Sequence, residues 1–210
     1  MPTQAEWARA SNGARSDPVN LYLHGSLPQV ESALRAAGWT AAQPLSTQAK
    51  VEFVFATGFD EAVRGFDALT GLAAPVPKLV QRAVSSEPVS TLTYGGKPQV
   101  VAFEKDNNPL GGRHHLRVFS TGKVDALGRP VWAVAATQDK GVVFAPTRPD
   151  QLFLNHVVAP DADVERDFVA SSLATAGQIS SQSSARVPYG PPAGNGVTSR
   201  DGRVLDVVLR

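Results

Sequence analysis

Apolar and polar residues alternate near the start of the chain, in the pattern of a half-buried strand followed by a helix. The alternation covers residues 19–24 and predicts the strand. Ser26 and Gln29 then have the spacing of a capping box, which predicts a helix that begins after Ser26 and runs to about Ala37. Gly38 suits the left-handed backbone conformation that commonly follows the end of a helix.

Beyond residue 88, short apolar or alternating runs are separated by glycine and proline, and this pattern predicts strands. One helix interrupts the series. It begins near Asp161, where the positive end of the helix dipole favours acidic side chains, and it ends at about Ala176. The strands are predicted at 89–94, 98–104, 113–119, 130–137, 141–144, 152–158, 178–184 and 203–209.

These elements predict an α+β fold, in which one domain contains an antiparallel-rich mixed sheet flanked by a few helices. The domain is expected to span residues 17–210, after a polar and poorly ordered N-terminal lead-in at residues 1–16. Residues 40–88 are ambiguous. They contain a strand or helix start at 51–55 and apolar residues at helical spacing over 59–69.

Composition and charge exclude several classes of protein. The chain has 210 residues, of which 42% are hydrophobic, so it can bury a substantial core. Its 20 basic and 19 acidic residues give no electrostatic footprint for nucleic acid. The absence of cysteine excludes disulfides, thiolate metal sites and thiol nucleophiles. No apolar run of about 18 residues predicts a transmembrane segment, and the N-terminus does not have the pattern of a secretory signal.

The segment from Arg113 to Arg117 is unusual, because two of the chain's four histidines stand side by side between two arginines. On a strand, Arg113, His115 and Arg117 would share one face, while His114 would point to the other. Arginine forks bind phosphate or carboxylate bidentately, so this face is a candidate site for an anionic ligand. The alternative is a solvated strand face with ordinary cross-strand ion pairs.

The candidate catalytic residues are His114, His115 and Asp139. Asp139 lies among small residues and is followed by Gly141, which suits a hairpin turn. The same carboxylate also suits a second role, that of orienting a neighbouring histidine for acid–base chemistry. Familiar catalytic signatures are missing: the sequence has no G-x-S-x-G, no Walker A loop and no H-E-x-x-H.

The candidate metal ligands are His156, Asp161 and Asp163, because histidine and carboxylate together suit a divalent cation. The acids begin like an EF-hand loop, but Arg166 stands where that loop needs glycine, and the motif is rejected. A helix start rich in acids explains the same residues without any metal. The sequence specifies no cofactor.

Several short motifs, taken in order, resemble the LssY C-terminal domain family of bacteria. They extend over residues 17–210, which is nearly the whole chain. The motifs are Asp17-Pro18-Val19-Asn20-Leu21, Gly25-Ser26, 36–40, 88–90, 113–117, 128–132, 135–137 with Asp139 and Gly141, His156, 161–167 and 201–203.

The resemblance implies an α+β domain without an established molecular activity. In this family the domain often stands behind membrane-embedded segments of the DedA type or of the lipid-phosphatase type, and the sequence contains neither. By association alone, the resemblance implies a bacterial envelope or periplasmic location, in preference to the cytoplasm, and an envelope or membrane-protein partner. It assigns no catalytic roles.

These observations leave three hypotheses. The first is a non-catalytic envelope module that binds a partner or an anionic ligand through Arg113, His115 and Arg117. The second is a phosphate-ester hydrolase, metal-assisted or not, in which His114 or His115 acts as acid or base, Asp139 orients it and the arginines stabilise charge on phosphate. The third is a structural domain whose charged row forms ordinary ion pairs. The missing catalytic signatures favour the first.

Overall fold

The computed structural model describes residues 6–42, 91–106, 112–144, 154–188, 192–194 and 196–210. Within these ranges the chain forms two helices, α1 (Leu27–Ala36) and α2 (Ala162–Thr175). The strands are β1 (Trp7–Arg9), β2 (Arg15–Pro18), β3 (Leu21–His24), β4 (Thr40–Ala41), β5 (Thr93–Tyr94), β6 (Lys97–Pro98), β7 (Val101–Lys105), β8 (Arg113–Val124), β9 (Pro130–Phe144), β10 (Leu154–Val158), β11 (Ile179–Arg186) and β12 (Arg203–Leu209).

The centre of the fold is a mixed sheet of eight strands in the order β11-β12-β3-β9-β8-β7-β4, with β10 paired to β9. Among the described strand pairs only β12 and β3 are parallel, and the others are antiparallel. The predicted fold class, an α+β domain with an antiparallel-rich mixed sheet, is confirmed.

Both helices cover one face of this sheet and form the larger hydrophobic core with it. Leu34 of α1 and Leu173 of α2 are fully buried against Leu116 of β8 and Val134 of β9. Removing this apolar surface from water, at roughly 25 cal/mol per Å², is the main stabilising contribution on this side.

The opposite face of the sheet carries a second, smaller core. A short sheet in the order β2-β1-β5-β6 contributes to it, and Ala8 of that sheet is buried together with Phe119 of β8 and Ala133 of β9. Burial of Trp7 and Ala8 explains why the N-terminal segment is structured. Its described part forms β1 and β2, where the sequence predicted a poorly ordered lead-in.

The predicted strand–turn–helix unit is confirmed. Ser26 is the N-cap of α1: its Oγ accepts a hydrogen bond from the Gln29 backbone N–H at 3.3 Å, and the Gln29 side chain accepts one from the Ser26 N–H. Gly38 follows the helix with a φ of 82°, a conformation that glycine adopts without a steric penalty.

The structure corrects one prediction about the long strands β8 and β9. The segments predicted at 130–137 and 141–144 are one continuous strand, β9, so the hairpin turn considered at Asp139 does not exist. Asp139 lies in mid-strand, opposite Arg113 of β8. The predictions at 51–55 and 59–69 lie outside the described residues. In the described part of the chain, neither helix is long and apolar enough to cross a membrane.

Candidate functional site

The register of β8 and β9 places Arg113, His115 and Arg117 in one row on the face away from the helices. Phe119 continues the same alternation and is buried in the smaller core on that side. His114 points to the opposite face. The prediction that the three residues share one face is therefore confirmed, and their side chains are buried, with only 3–5% of each residue exposed.

Arg113 lies between two carboxylates. Its Nε and Nη2 atoms donate to Oδ2 of Asp139 at 3.2 and 2.8 Å. Its Nη1 atom lies 3.6 Å from Oε2 of Glu104, which β7 places opposite His115. Ion pairing thus holds the guanidinium group from two neighbouring strands.

Arg117 pairs with an acid from the short sheet. Its Nη1 donates to Oδ2 of Asp17 at 2.6 Å, and both residues are at least 95% buried. Burial lowers the pKa of Arg117 from its ordinary value, while attraction from Asp17 and Asp139 opposes that change. The ion pair connects β8 to β2 across the second core.

His115 stands between the two arginines and contacts residues of β9. Its Nε2 atom lies 2.7 Å from the hydroxyl of Thr137, which is fully buried. Its Nδ1 atom lies 3.6 Å from Oδ2 of Asp139, which is longer than a hydrogen bond. The structure therefore brings Asp139 close to His115 and to Arg113.

We call this set of residues the ion cluster. Among the residues that the structure describes here, and with His115 neutral, the two arginines and three carboxylates give a formal charge of −1. Burying each such charge costs several kcal/mol before pairing offsets it. The cluster comprises Asp17, Glu104, Arg113, His115, Arg117 and Asp139, with Thr137 at its edge.

His114 belongs to a different environment. Strand alternation turns it towards α2, where its Nδ1 lies 2.6 Å from Oε2 of Glu165. The acid beside His114 is therefore Glu165, and of the two histidines considered as partners of Asp139 the structure places His115 next to it.

The candidate metal ligands on α2 have other partners. Asp161 caps the helix by accepting from the Asp163 N–H at 3.0 Å. The Asp163 carboxylate accepts from the backbone N–H groups of Arg200 and Asp201 at 2.7 and 2.8 Å. Among the side chains that the structure describes, no three histidine or acidic groups converge as a metal site. The metal site stays a prediction, because the His156 side chain lies outside the described part of the chain.

Arg166 is the cation that gathers these acids. Its Nη1 and Nη2 atoms donate to both oxygens of Asp201 at 2.9 and 2.8 Å, and Nη1 also donates to the Arg203 carbonyl at 2.8 Å. The hydrogen bonds from Arg166 lower the pKa of Asp201. The acidic helix start thus attaches the segment at 199–203 to α2.

Sequence reasoning missed two members of the ion cluster, Asp17 and Glu104. Both adjoin apolar strands: Asp17 precedes the run at 18–23, and Glu104 is fourth in Val-Ala-Phe-Glu. An acid on the buried side of an apolar strand was the available signal. Its partner could not be identified before the strand order was known.

Fold and site together define an α+β domain with a buried charged cluster on one side of its central sheet. The chain belongs to the family described as LssY C-terminus, whose model matches residues 1–65 and 72–197. This confirms the resemblance and specifies no activity. No curated protein and no solved structure matches the chain.

Proposed function

We propose that this domain is a non-catalytic module that binds an anionic group, such as a phosphate or carboxylate, at the ion cluster. The observation that carries the proposal is the row of Arg113, His115 and Arg117 on one buried face. The family's habit of standing beside membrane-embedded segments supports a bacterial envelope location and a membrane-protein partner.

The energetic cost of the cluster supports a functional role. Replacing buried ion pairs with well-packed apolar side chains is often neutral or stabilising, so folding alone gives no reason for several charges here. The same strands bury apolar side chains on their other face, which shows that the fold accommodates them. Charged groups gathered at such cost are typical of functional sites.

The pairing geometry also supports anion binding. Asp139 fixes the Arg113 guanidinium through Nε and Nη2, and Asp17 fixes that of Arg117 through Nη1. Donors oriented in advance lose less entropy when a ligand arrives. Since the described members of the cluster carry no excess of positive charge, the proposed attraction to an anion comes from directed N–H groups of the planar guanidinium.

The test is thermal unfolding in sodium phosphate and in sodium chloride at equal ionic strength. A ligand that binds only the folded state adds about 2.7 kcal/mol at a concentration 100 times its Kd. Arg113→Lys and Arg117→Lys keep the positive charge and remove the planar guanidinium group, whose paired N–H donors bind an anion bidentately. Arg186→Lys, at an exposed position on β11, is the matched control.

We expect phosphate to raise the Tm of the parent protein and of Arg186→Lys by the same amount, and to raise it much less in the two cluster variants. Phosphate also stabilises proteins generally, so the proposal is tested by comparing the rise in Tm between the cluster variants and the control. An equal rise in all four proteins contradicts the proposal.

A second candidate function is hydrolysis of a phosphate ester. It is favoured by the position of the His115 imidazole between the Asp139 carboxylate and the Thr137 hydroxyl. A carboxylate near Nδ1 and a hydroxyl at Nε2 resemble an acid–base relay, and such contacts are often longer without substrate. In this mechanism His115 Nε2 takes the proton of the Thr137 hydroxyl as that oxygen attacks phosphorus, and the ester P–O bond breaks. Asp139 stabilises the imidazolium, which gives its proton to the departing alcohol, and Arg113 and Arg117 stabilise charge on the phosphate. Water then hydrolyses the phosphothreonine.

The assay for this candidate is release of p-nitrophenol from p-nitrophenyl phosphate and from bis(p-nitrophenyl) phosphate. If the cluster is catalytic, His115→Gln lowers turnover by about 10²- to 10⁴-fold, while the exposed control Arg186→Lys leaves it unchanged. Absence of turnover by the parent protein, or equal activity in His115→Gln, rules out this candidate.

A further inference from the structure

A second group of titratable side chains lies on the helix face, separate from the ion cluster. Helix α2 places Glu165 under the end of β8, where 1% of the residue is exposed. One carboxylate oxygen, Oε2, lies 2.6 Å from His114 Nδ1. The other, Oε1, has no hydrogen-bond partner among the described residues. A buried carboxylate with one oxygen unsatisfied is costly, and in native structures such a group needs an explanation.

His114 connects this carboxylate to solvent. Its ring stacks on Phe168 with the centroids 4.0 Å apart, and 20% of its side chain is exposed. Its Nδ1 faces Glu165. Within the described contacts its Nε2 makes no hydrogen bond. This nitrogen is not buried, and it therefore faces water. The imidazole therefore has one nitrogen fixed by a carboxylate and the other open.

The described charged groups around the pair come from β7, from the residue that follows it and from β9. Lys105 of β7 lies opposite His114, but it donates to the Ala37 carbonyl at 2.8 Å and lies over the Phe168 ring. Asp106, at the end of β7, is close enough to act on both members of the pair. Asp139 of β9 acts on Glu165 from the other side of the sheet.

The protonation equilibria agree with this geometry. The hydrogen bond that His114 donates to Glu165 raises the pKa of His114, although partial burial acts in the opposite direction. Burial raises the pKa of Glu165 to about 7, against a lowering by His114. Both raised pKa values therefore favour the protonated forms of His114 and Glu165 relative to the same groups in water.

We propose that His114 and Glu165 form an acid–base site, in which the buried carboxylate orients the imidazole and Nε2 exchanges a proton with water or with a hydroxyl group bound there. The proton arrives at Nε2 from the donor, while the Nδ1 proton stays in the hydrogen bond to Glu165. The site lies on the opposite face of β8 from the ion cluster.

His24 provides an internal comparison. Its Nδ1 lies 3.1 Å from Asp125 and its Nε2 lies 2.5 Å from Asp206, so carboxylates occupy both ring nitrogens. This histidine is 9% exposed and links β3 to β12 and to the turn after β8. An acid–base group needs one accessible nitrogen, and in this respect His114 and His24 differ.

The first test follows the imidazole resonances by NMR between pH 4 and 10, with His114→Gln to assign the His114 signals. We expect His114 to titrate above the ordinary value of about 6.5 and, once deprotonated, to carry its proton on Nδ1. Glu165→Gln should lower the midpoint by about one unit or more, and Asp106→Asn by less. A midpoint at or below 6.5 in the parent protein, or a proton on Nε2, overturns the proposal without any variant.

The second test measures access. Diethyl pyrocarbonate modifies deprotonated, accessible imidazole nitrogen, and mass spectrometry locates the product. At pH 8 we expect modification of His114 to be at least tenfold faster than that of His24. Equal rates, or a faster rate at His24, contradict the proposed opening of Nε2 to solvent.

Discussion

The two faces of strands β8 and β9 carry opposite chemistry. On the helix side, Leu116 and Val118 are completely buried in the larger core. On the other side, Arg113, His115 and Arg117 alternate with them and are almost as deeply buried. The same backbone therefore supports an apolar face and a charged face with little difference in exposure.

The two faces therefore have different roles: the apolar face stabilises the fold, and the charged face carries the proposed binding site. Apolar burial stabilises the helix face in proportion to its area. The charges of the ion cluster must first lose their hydration, and pairing at best offsets this cost. The net contribution to stability should therefore come mainly from the helix face, because removing a whole buried ion pair should cost little, although breaking one is costly. Ligand binding should depend on the ion cluster.

The largest effect is expected from breaking one buried ion pair. Arg117→Gln removes the positive charge that faces the buried Asp17 carboxylate, which should lower the free energy of unfolding by about 3–5 kcal/mol. Urea unfolding followed by circular dichroism measures the change.

The double variant Asp17→Leu/Arg117→Met sharpens the comparison. If pairing only offsets desolvation, this variant should regain most of the lost stability and still fail to respond to phosphate. A double variant as unstable as the single one would show that the charges themselves stabilise the fold.

A core truncation on the helix face should have a comparable or slightly smaller effect. Leu116→Ala removes a fully buried side chain between the sheet and the helices and should cost about 2–4 kcal/mol. Its phosphate-dependent rise in Tm should match that of the parent protein. A loss of that response would show that the two faces are not independent.

The pH dependence of stability should distinguish the His114–Glu165 pair from the other acids. Glu165 has its pKa raised from 4.5 to about 7, so its stabilisation is complete below 4.5 and is lost as pH rises towards 7. The raised pKa of His114 acts in the same sense, with loss beginning above 6.5. Asp201, whose pKa is lowered, loses stability as pH falls.

The useful quantity is therefore the difference in unfolding free energy between the parent protein and Glu165→Gln, measured from pH 4.5 to 8.5. We expect the advantage of the parent protein to shrink steadily as pH rises through this window. A difference in unfolding free energy that does not change with pH would contradict the raised pKa of Glu165 in the folded protein.

The smallest effect is expected at an exposed ion pair. Arg35 donates to Glu31 at 2.9 Å on the surface of α1, and more than half of the Arg35 side chain is exposed. Arg35→Ala should change the free energy of unfolding by about 0.5 kcal/mol or less, since solvent screens such pairs. A loss as large as that of Arg117→Gln would remove the distinction between buried and exposed charges.

Local patterns were sufficient to predict much of the fold. The capping residues Ser26 and Gln29 defined the start of α1, and apolar alternation identified β8 and β12. The class of fold followed from the order of these elements. The strands at 7–9 and 15–18 were not predicted, because Ala8 becomes buried only against distant strands.

The site was predicted in part for the same reason. Alternation along one strand was enough to place Arg113, His115 and Arg117 on a single face. Their partners come from β2, β7 and β9, and a single sequence does not specify which strands become neighbours. The sequence left open whether Asp139 lies beside His114 or His115. Adjacent residues on a strand point to opposite faces, so Asp139 lies near His115, and α2 supplies Glu165 to His114.

The account rests on arginine side chains that meet an anion at the ion cluster, and NMR of the arginine Nε–Hε groups observes them directly. During titration with inorganic phosphate at constant ionic strength, the signals of Arg113 and Arg117 should shift together and reach a plateau, while those of Arg35 and Arg186 stay fixed. Unchanged Arg113 and Arg117 signals, or shifts shared by all four, would contradict it.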